Sequence, residues 1–207
     1  MYLPPHFEGD RAQAADLMRQ PPFANFFSVD ASGLPFTTHL PLPLEKTDDL
    51  PGLKIFTLLG NFAGGNSHCR YFRDRLQAVV NFLGPHAYLS PTVYPDLACV
   101  PTWNYVAVHC TVQATQMDDA AAKNSFLKKL IDDHEPTYDK QWQGIENAYS
   151  QKMLTVILGF ELQVLDLQFK LKLNQHRPEA SLAMQAIYEN GKDCDQYLGR
   201  WMKRIAK

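Results

Sequence analysis

The chain has 207 residues, 45% hydrophobic and 20% charged, with a formal net charge of −2. This is an ordinary globular composition, large enough to bury a real core, and it supplies no overall basic field for nucleic acid or a membrane surface. No apolar run approaches the roughly 18 residues of a membrane span. The N-terminal MYLPPHFEGD lacks the basic and apolar regions of a signal peptide, and Cys69, Cys99, Cys110 and Cys194 show no CxxC spacing. Reduced thiols in a cytoplasmic protein are therefore expected, not a zinc site or a disulfide scaffold.

In chain order, Asp10 is placed to cap a helix that carries Ala12, Ala15 and Leu17 and stops before Pro21 and Pro22. FANFFSVD (23–30) and LPFTTHLPLPL (34–44) flank Ala31-Ser32-Gly33, a hairpin signal in which Gly33 is free to take positive φ. Pro41 and Pro43 suit a sheet edge or a strand end. GLKIFTLLG (52–60), opened by Pro51-Gly52, predicts a third strand. A glycine-rich break follows, then a short helix over NSHCRYFRDR (66–75), capped by Asn66 or Ser67 and presenting Arg70, Arg73 and Arg75.

LQAVVNFLG (76–84) predicts a fourth strand. The next stretch, GPHAYLSPTVYPDLACVPTWNY (84–105), carries four prolines, three tyrosines and a tryptophan. It is too proline-rich for a strand core and too aromatic for a disordered linker. It reads as an ordered irregular loop, a kind of segment that tends to be functional.

WNYVAVHCTVQATQM (103–117) alternates Val106, Val108, Cys110 and Val112 against His109, Thr111 and Gln113, a long strand. Asp118-Asp119 opens a helix with Phe126, Leu127, Leu130 and Ile131 on one stripe. After a polar segment, residues 153–173 read as a helix end and then a strand pair. Two helices, 178–190 and 192–207, are separated by Gly191. Six or seven strands without a βαβ rhythm predict an α+β antiparallel fold, a barrel with peripheral helices. Residues 1–177 are expected to form the barrel. Residues 178–207 are expected to form a helical hairpin packed on it or on a partner subunit.

The chemistry visible in the residues is sparse. GNFAGGNS (60–67) lies between a strand and a helix, where backbone amides suit a phosphate. It lacks the Walker lysine and the GxGxxG spacing. Arg70 and Arg73 stand one turn on, and the plain alternative is a tight turn with solvated arginines. His39, His86 and His109 lie on separate elements without paired spacing, so histidines satisfied in the core or at a pocket edge are favoured over metal ligands. Ser90 has no GxSxG elbow, and Glu161 and Asp166 form no carboxylate dyad. KLKLNQHRP (170–178) ends a strand in cationic and amide groups that suit a ligand clamp or a plain strand exit. The C-terminal helix pair ends in Arg200, Lys203 and Arg204. It has the outline of a helix-turn-helix, although a helical hairpin packed on the fold is commoner.

Several pieces, taken together, resemble one family: MYLPPHF at 1–7, HLPL at 39–42, GPHAYLSP at 84–91, VPTWNY at 100–105, the Met153–Glu161 stretch ML..I.GFE and the exit K.KL.Q.RP. The chain is similar to the PaiB-like FMN-binding negative transcriptional regulators, relatives of the split barrels of the pyridoxamine-phosphate-oxidase type. The resemblance implies a six-stranded antiparallel split barrel and a homodimer that holds FMN, with the 84–105 loop helping to build the flavin pocket. It implies Asn66, Ser67 and Arg70 near the phosphate, and His86, Thr102, Trp103 and Asn104 near the ring. Lys172, Gln175 and Arg177 are implied at the rim. The chain departs from the family's GH.A[RK]AN pattern in having GNFAGGN: Asn61 replaces the histidine and Gly64 the basic residue, which shifts the expected cationic partner to Arg70 or Arg73. His176 stands where the exit motif usually has asparagine. The function so implied is FMN-linked negative regulation of transcription, with direct DNA contact at the C-terminal helices as an option. The alternatives are an FMN-dependent oxidoreductase, a barrel that has lost flavin and acts through a protein partner, or haem binding through one of the three histidines.

Overall fold

The computed structural model describes residues 1–20, 22–50, 53–72, 76–96, 99–144 and 147–205. Pro51-Gly52, Arg73 and Arg75 from the sequence reading lie outside them. Helix α1 (Arg11–Arg19) starts where Asp10 predicts. The Gln13 amide donates to Asp10 Oδ1 at 2.8 Å and the Asp10 amide donates back to Gln13 Oε1 at 3.1 Å, a reciprocal box that satisfies two free helix-end donors. Its buried face is Ala14, Ala15, Leu17 and Met18, with Ala12 exposed.

Strands β1 (Phe23–Val29) and β2 (Pro35–Pro41) pair antiparallel, with Phe26 opposite Thr38. In their turn, Asp30 Oδ1 accepts from the amides of Ser32 (2.8 Å) and Leu34 (3.0 Å), and Gly33 sits at φ +88°, a conformation that favours glycine. Strand β3 (Leu44–Leu50) was not expected from its charged sequence. It pairs with β4 (Leu53–Ala63), which in turn pairs with β7 (Ile157–Lys172). Between them in sequence lie β5 (Gln77–Leu89) and β6 (Thr102–Met117).

The sheet has seven strands in the order β2-β1-β5-β6-β7-β4-β3. The α+β class and the antiparallel sheet of the split-barrel type agree with expectation; the strand count is seven, not six. Two further corrections concern strand ends. β5 continues through Gly84-Pro85 to Leu89, so the first six residues of the expected loop are strand. Residues 157–172 form one long strand, not a pair.

Residues divide into two compact units. Unit 1 comprises Met1–Pro21, Asn81–Cys110 and Leu167–Lys207; unit 2 comprises Pro22–Val80 and Thr111–Asp166. In unit 2, Phe26, Phe62, Phe72 and Phe160 form a buried aromatic cluster, with Phe62 and Phe160 centroids 4.6 Å apart. A Cβ at Gly60 would fall 2.5 Å from the Phe160 ring, so only glycine lets this strand approach so closely. The other helices of unit 2 are α2 (His68–Tyr71), α3 (Ala120–His134), α4 (Asp139–Gln143) and α5 (Asn147–Thr155); Phe126 of α3 packs on Leu59 and Met117. In unit 1, α6 (Ser181–Glu189) and α7 (Asp193–Ile205) bury Met184, Tyr188, Leu198, Trp201 and Met202, and Trp201 meets Phe169 edge-on at 5.8 Å. No helix among the described residues is long and apolar enough to cross a membrane, and no cluster of potential metal ligands occurs among them.

Candidate functional site

The N-terminal segment lies along β7 in unit 1. The Met1 amine donates to Gln168, Lys170 Nζ donates to the Tyr2 carbonyl at 2.9 Å, and the Gly9 amide donates to the Phe169 carbonyl at 3.0 Å. A Cβ at Gly9 would lie 2.3 Å from the Phe169 ring, so this close approach also requires glycine. Lys170 is only 7% exposed, its ammonium 5.5 Å from the Tyr2 ring and 5.3 Å from the Tyr105 ring, both within cation–π range.

The anchored segment forms one wall of a cavity of about 440 Å³ through Tyr2, Pro4, His6 and Phe7. Opposite lie Tyr94, Cys99 and Val100 from the chain between β5 and β6, Thr102 at the start of β6, and Lys172, Asn174, His176 and Arg177 at the exit of β7. This volume lies in the range that encloses a cofactor-sized ligand, and aromatic walls with a few convergent polar groups are the usual lining.

Lys172 Nζ donates to Thr102 Oγ1 and, at 2.6 Å, to the Trp103 carbonyl. An ammonium carries three donors, so one remains for a ligand acceptor. Burial, followed by the charge of Lys170, lowers the Lys172 pKa. Arg177 is more heavily committed: it donates to Glu179, to Asp96 Oδ2 at 2.8 Å and to Cys99 Sγ at 3.5 Å, and it lies 4.7 Å over the Tyr94 ring. Its pKa is raised, first by the hydrogen bond to Glu179. Two carboxylates thus balance this guanidinium, leaving Lys172 as the cavity's uncompensated lysine.

Asn174, at φ +55° and 4% exposed, donates to the Tyr94 hydroxyl; burial is the main cause of the raised Tyr94 pKa. His176 stands 5.4 Å from His6, ring to ring. Its pKa is lowered by burial and then by His6.

The structure therefore brings together Thr102, Lys172 and Arg177, with Trp103 contributing only its backbone carbonyl. Other expected ring partners sit elsewhere in unit 1. Trp103 is 54% exposed, with the rings of His86 and Tyr88 at 6.3 and 6.1 Å. Asn104 is fully buried and donates to the Tyr188 hydroxyl at 3.0 Å. Gln175 closes the strand exit, its amide donating to the Leu171 carbonyl at 2.7 Å and its oxygen accepting from the Leu173 amide at 3.0 Å.

The expected phosphate partners lie in unit 2. Asn66 accepts from the His68 amide at 2.9 Å and donates to Thr38 Oγ1 at 3.0 Å, Ser67 makes no side-chain cap, and Arg70 is exposed. The Gly64 amide donates to the Val156 carbonyl at 2.7 Å, and a Cβ at 64 would lie 3.0 Å from that oxygen. A larger side chain here would make a tight contact that a local shift of a few tenths of an ångström relieves.

Sequence reasoning missed Tyr94, Cys99 and Asn174 as cavity residues. It quoted Tyr2, His6 and Phe7 only as landmarks; their cavity role depends on hydrogen bonds spanning 167 and 168 positions.

Residues 1–166 match the model of the family described as "Putative FMN-binding domain", and the chain belongs to that family. It is 33% identical over 182 residues, 86% of this chain and 84% of the relative, to protease synthase and sporulation protein PAI 2 of Bacillus subtilis. It is 27% identical to the uncharacterized protein YKL070W of Saccharomyces cerevisiae, over 73% of this chain and 98% of that one. Among solved structures, the FAD and heme binding protein of Mycobacterium smegmatis aligns with a TM-score of 0.60 at 16% identity, covering 80% of this chain and 72% of that one. This last likeness concerns the fold alone.

Proposed function

We propose that this chain binds FMN and places the ring edge of the flavin in the unit 1 cavity. The observation that carries the reading is the family match over residues 1–166. The cavity fits the group: its aromatic walls suit an apolar ring system, and Lys172 keeps one donor free for a ring carbonyl or nitrogen. The local charge favours the ring over the phosphate here, because Arg177 is already balanced by Asp96 and Glu179. FMN supplies hydride or electron transfer when bound, and the protein supplies position and electrostatics. Lys172 orients the polar edge, the Tyr94 and Phe7 rings exclude water, and Arg177 holds Tyr94, Asp96 and Cys99 beside the strand exit.

A second copy of the chain is the proposed cover for the exposed Leu83, Tyr88 and Trp103 of β5 and β6. Negative regulation of transcription is proposed through the resemblance to the PaiB-like regulators, in keeping with the sporulation role in the name of the Bacillus relative.

Equilibrium dialysis of the purified chain against FMN, followed by gel filtration, tests the reading. The expected result is saturable binding of one FMN per chain in a dimer, at least tenfold weaker in Lys172→Ala. Absence of binding at tens of micromolar FMN overturns it.

A further inference from the structure

Helices α1 and α7 enclose a second cavity in unit 1, of about 250 Å³, which the flavin reading does not use. Three guanidiniums line it, those of Arg19, Arg200 and Arg204, against one carboxylate, Asp16. In a chain of net charge −2, this small space thus carries a local excess of two positive charges.

The arginines are incompletely satisfied. Asp16 reaches Arg19 at 3.6 Å and Arg204 at 3.5 Å, longer than a strong charge-assisted hydrogen bond. Arg200 pairs with no carboxylate among the described residues. Its guanidinium lies 5.6 Å over the Tyr197 ring, while that of Arg204 lies 5.0 Å over Trp201. Such stacking holds a guanidinium flat and leaves its edge donors for a ligand. The Tyr197 hydroxyl is fixed by donating to the Gln20 carbonyl at 3.0 Å. Trp201, which also lines the cavity, is 1% exposed, and its indole N–H has no acceptor among the described residues. That nitrogen is itself sealed from solvent, so the donors open to the cavity are those of the guanidinium groups.

We propose that this cavity binds the terminal phosphate group of a small molecule, as inorganic phosphate or a phosphate monoester. Arginine forks match phosphate oxygens in pairs. A ligand must compete with Asp16 for Arg19 and Arg204, which favours a dianion over a single carboxylate or a phosphodiester. The volume falls below the roughly 300 Å³ at which pockets begin to enclose drug-sized ligands, so the phosphate end enters and the remainder of a larger molecule stays outside. Asp193–Ile205, which supplies two of the arginines, lies beyond the residues matched by the family model.

The test is calorimetric titration of methyl phosphate into the full chain at low salt, with and without saturating FMN. The expected result is one site per chain in both conditions. The double variant Arg200→Gln, Arg204→Gln should weaken it at least tenfold while retaining the wild-type circular dichroism spectrum. Lys172→Ala, in the other cavity, should leave it unchanged. A second measurement needs no variant: wild-type affinity should fall from pH 8 to pH 5, as the monoester loses its second charge near pH 6. The proposal is overturned by no saturable heat up to about 10 mM, by equal affinity in the double variant, by affinity that is flat or rising towards pH 5, or by a DNA duplex that binds through these arginines when methyl phosphate does not. Loss of FMN binding alone leaves these outcomes readable, because the titration is also run without flavin.

Discussion

In unit 2 the His68 imidazole stacks on Phe62 at 5.0 Å and lies 5.0 and 4.4 Å from Phe26 and Phe36, with Nδ1 and Thr38 Oγ1 2.7 Å apart. In unit 1 the Lys172 ammonium stands beside a cavity walled by Tyr94, Tyr2 and Phe7. Both environments set a basic nitrogen among aromatic residues, but their consequences differ. His68 is 1% exposed in a packed cluster, and burial pushes its pKa down to about 4. Lys172 has about 440 Å³ beside it and one donor uncommitted. Residue type alone therefore does not mark the site. The adjoining space and the hydrogen-bonding capacity left unspent do.

The largest expected effect is on the packed side. Phe62→Ala removes a 1% exposed ring that contacts Phe26, Phe160 and His68, and should lower unfolding free energy by about 3–5 kcal/mol. Urea denaturation measures this, and a loss below about 1 kcal/mol would show that the cluster is not close-packed.

The next effect is pH-dependent. The folded state holds His68 neutral, with a pKa depressed from 6.5 to about 4. The stability held by the neutral ring is therefore fully present above pH 6.5 and falls away as pH drops through 4, the loss reaching about 3 kcal/mol there. Comparing His68→Leu with wild type across that window should show a flatter acid limb in the variant. A parallel pair of curves breaks the contrast between the two units.

On the open side, Lys172→Ala should weaken FMN binding by about ten- to a hundredfold, the worth of a charge-assisted hydrogen bond, with thermal stability nearly unchanged. The smallest effect belongs to the exposed pair Lys203–Glu189, 2.6 Å apart with both side chains about half exposed. Lys203→Ala should cost less than about 1 kcal/mol and leave flavin binding intact.

Local signals were legible in sequence wherever short-range chemistry decides the structure. The helix cap at Asp10, the Ala31–Gly33 turn, the alternation of β6 and the helix break at Gly191 are all read from neighbours a few positions apart. Strand β3 was not legible, because KTDDL carries the charges that a sheet interior rejects; the sheet order places β3 at an edge, where charge is tolerated and guards against further pairing. The continuation of β5 through Pro85 was hidden by a proline that normally argues against a strand.

At the cavity, Thr102, Lys172 and Arg177 are residues that the resemblance had implied, and the structure sets them on one lining, while the Trp103 side chain lies outside it. The inward turn of Asn104 towards Tyr188 did not follow, since it depends on a hydrogen bond across 84 positions. Tyr94 became a wall residue through Asn174 and Arg177, both at the far end of the chain. Such pairings leave no local pattern.

The central claim is that the open aromatic and lysine-lined cavity of unit 1, not the sealed cluster of unit 2, receives the flavin ring. The most direct test is flavin fluorescence during parallel FMN titrations of wild type, Lys172→Ala and His68→Leu. The account predicts saturable binding in wild type, affinity reduced at least tenfold in Lys172→Ala, and near wild-type affinity in folded His68→Leu. Undiminished binding in Lys172→Ala, or its loss in folded His68→Leu, would contradict it.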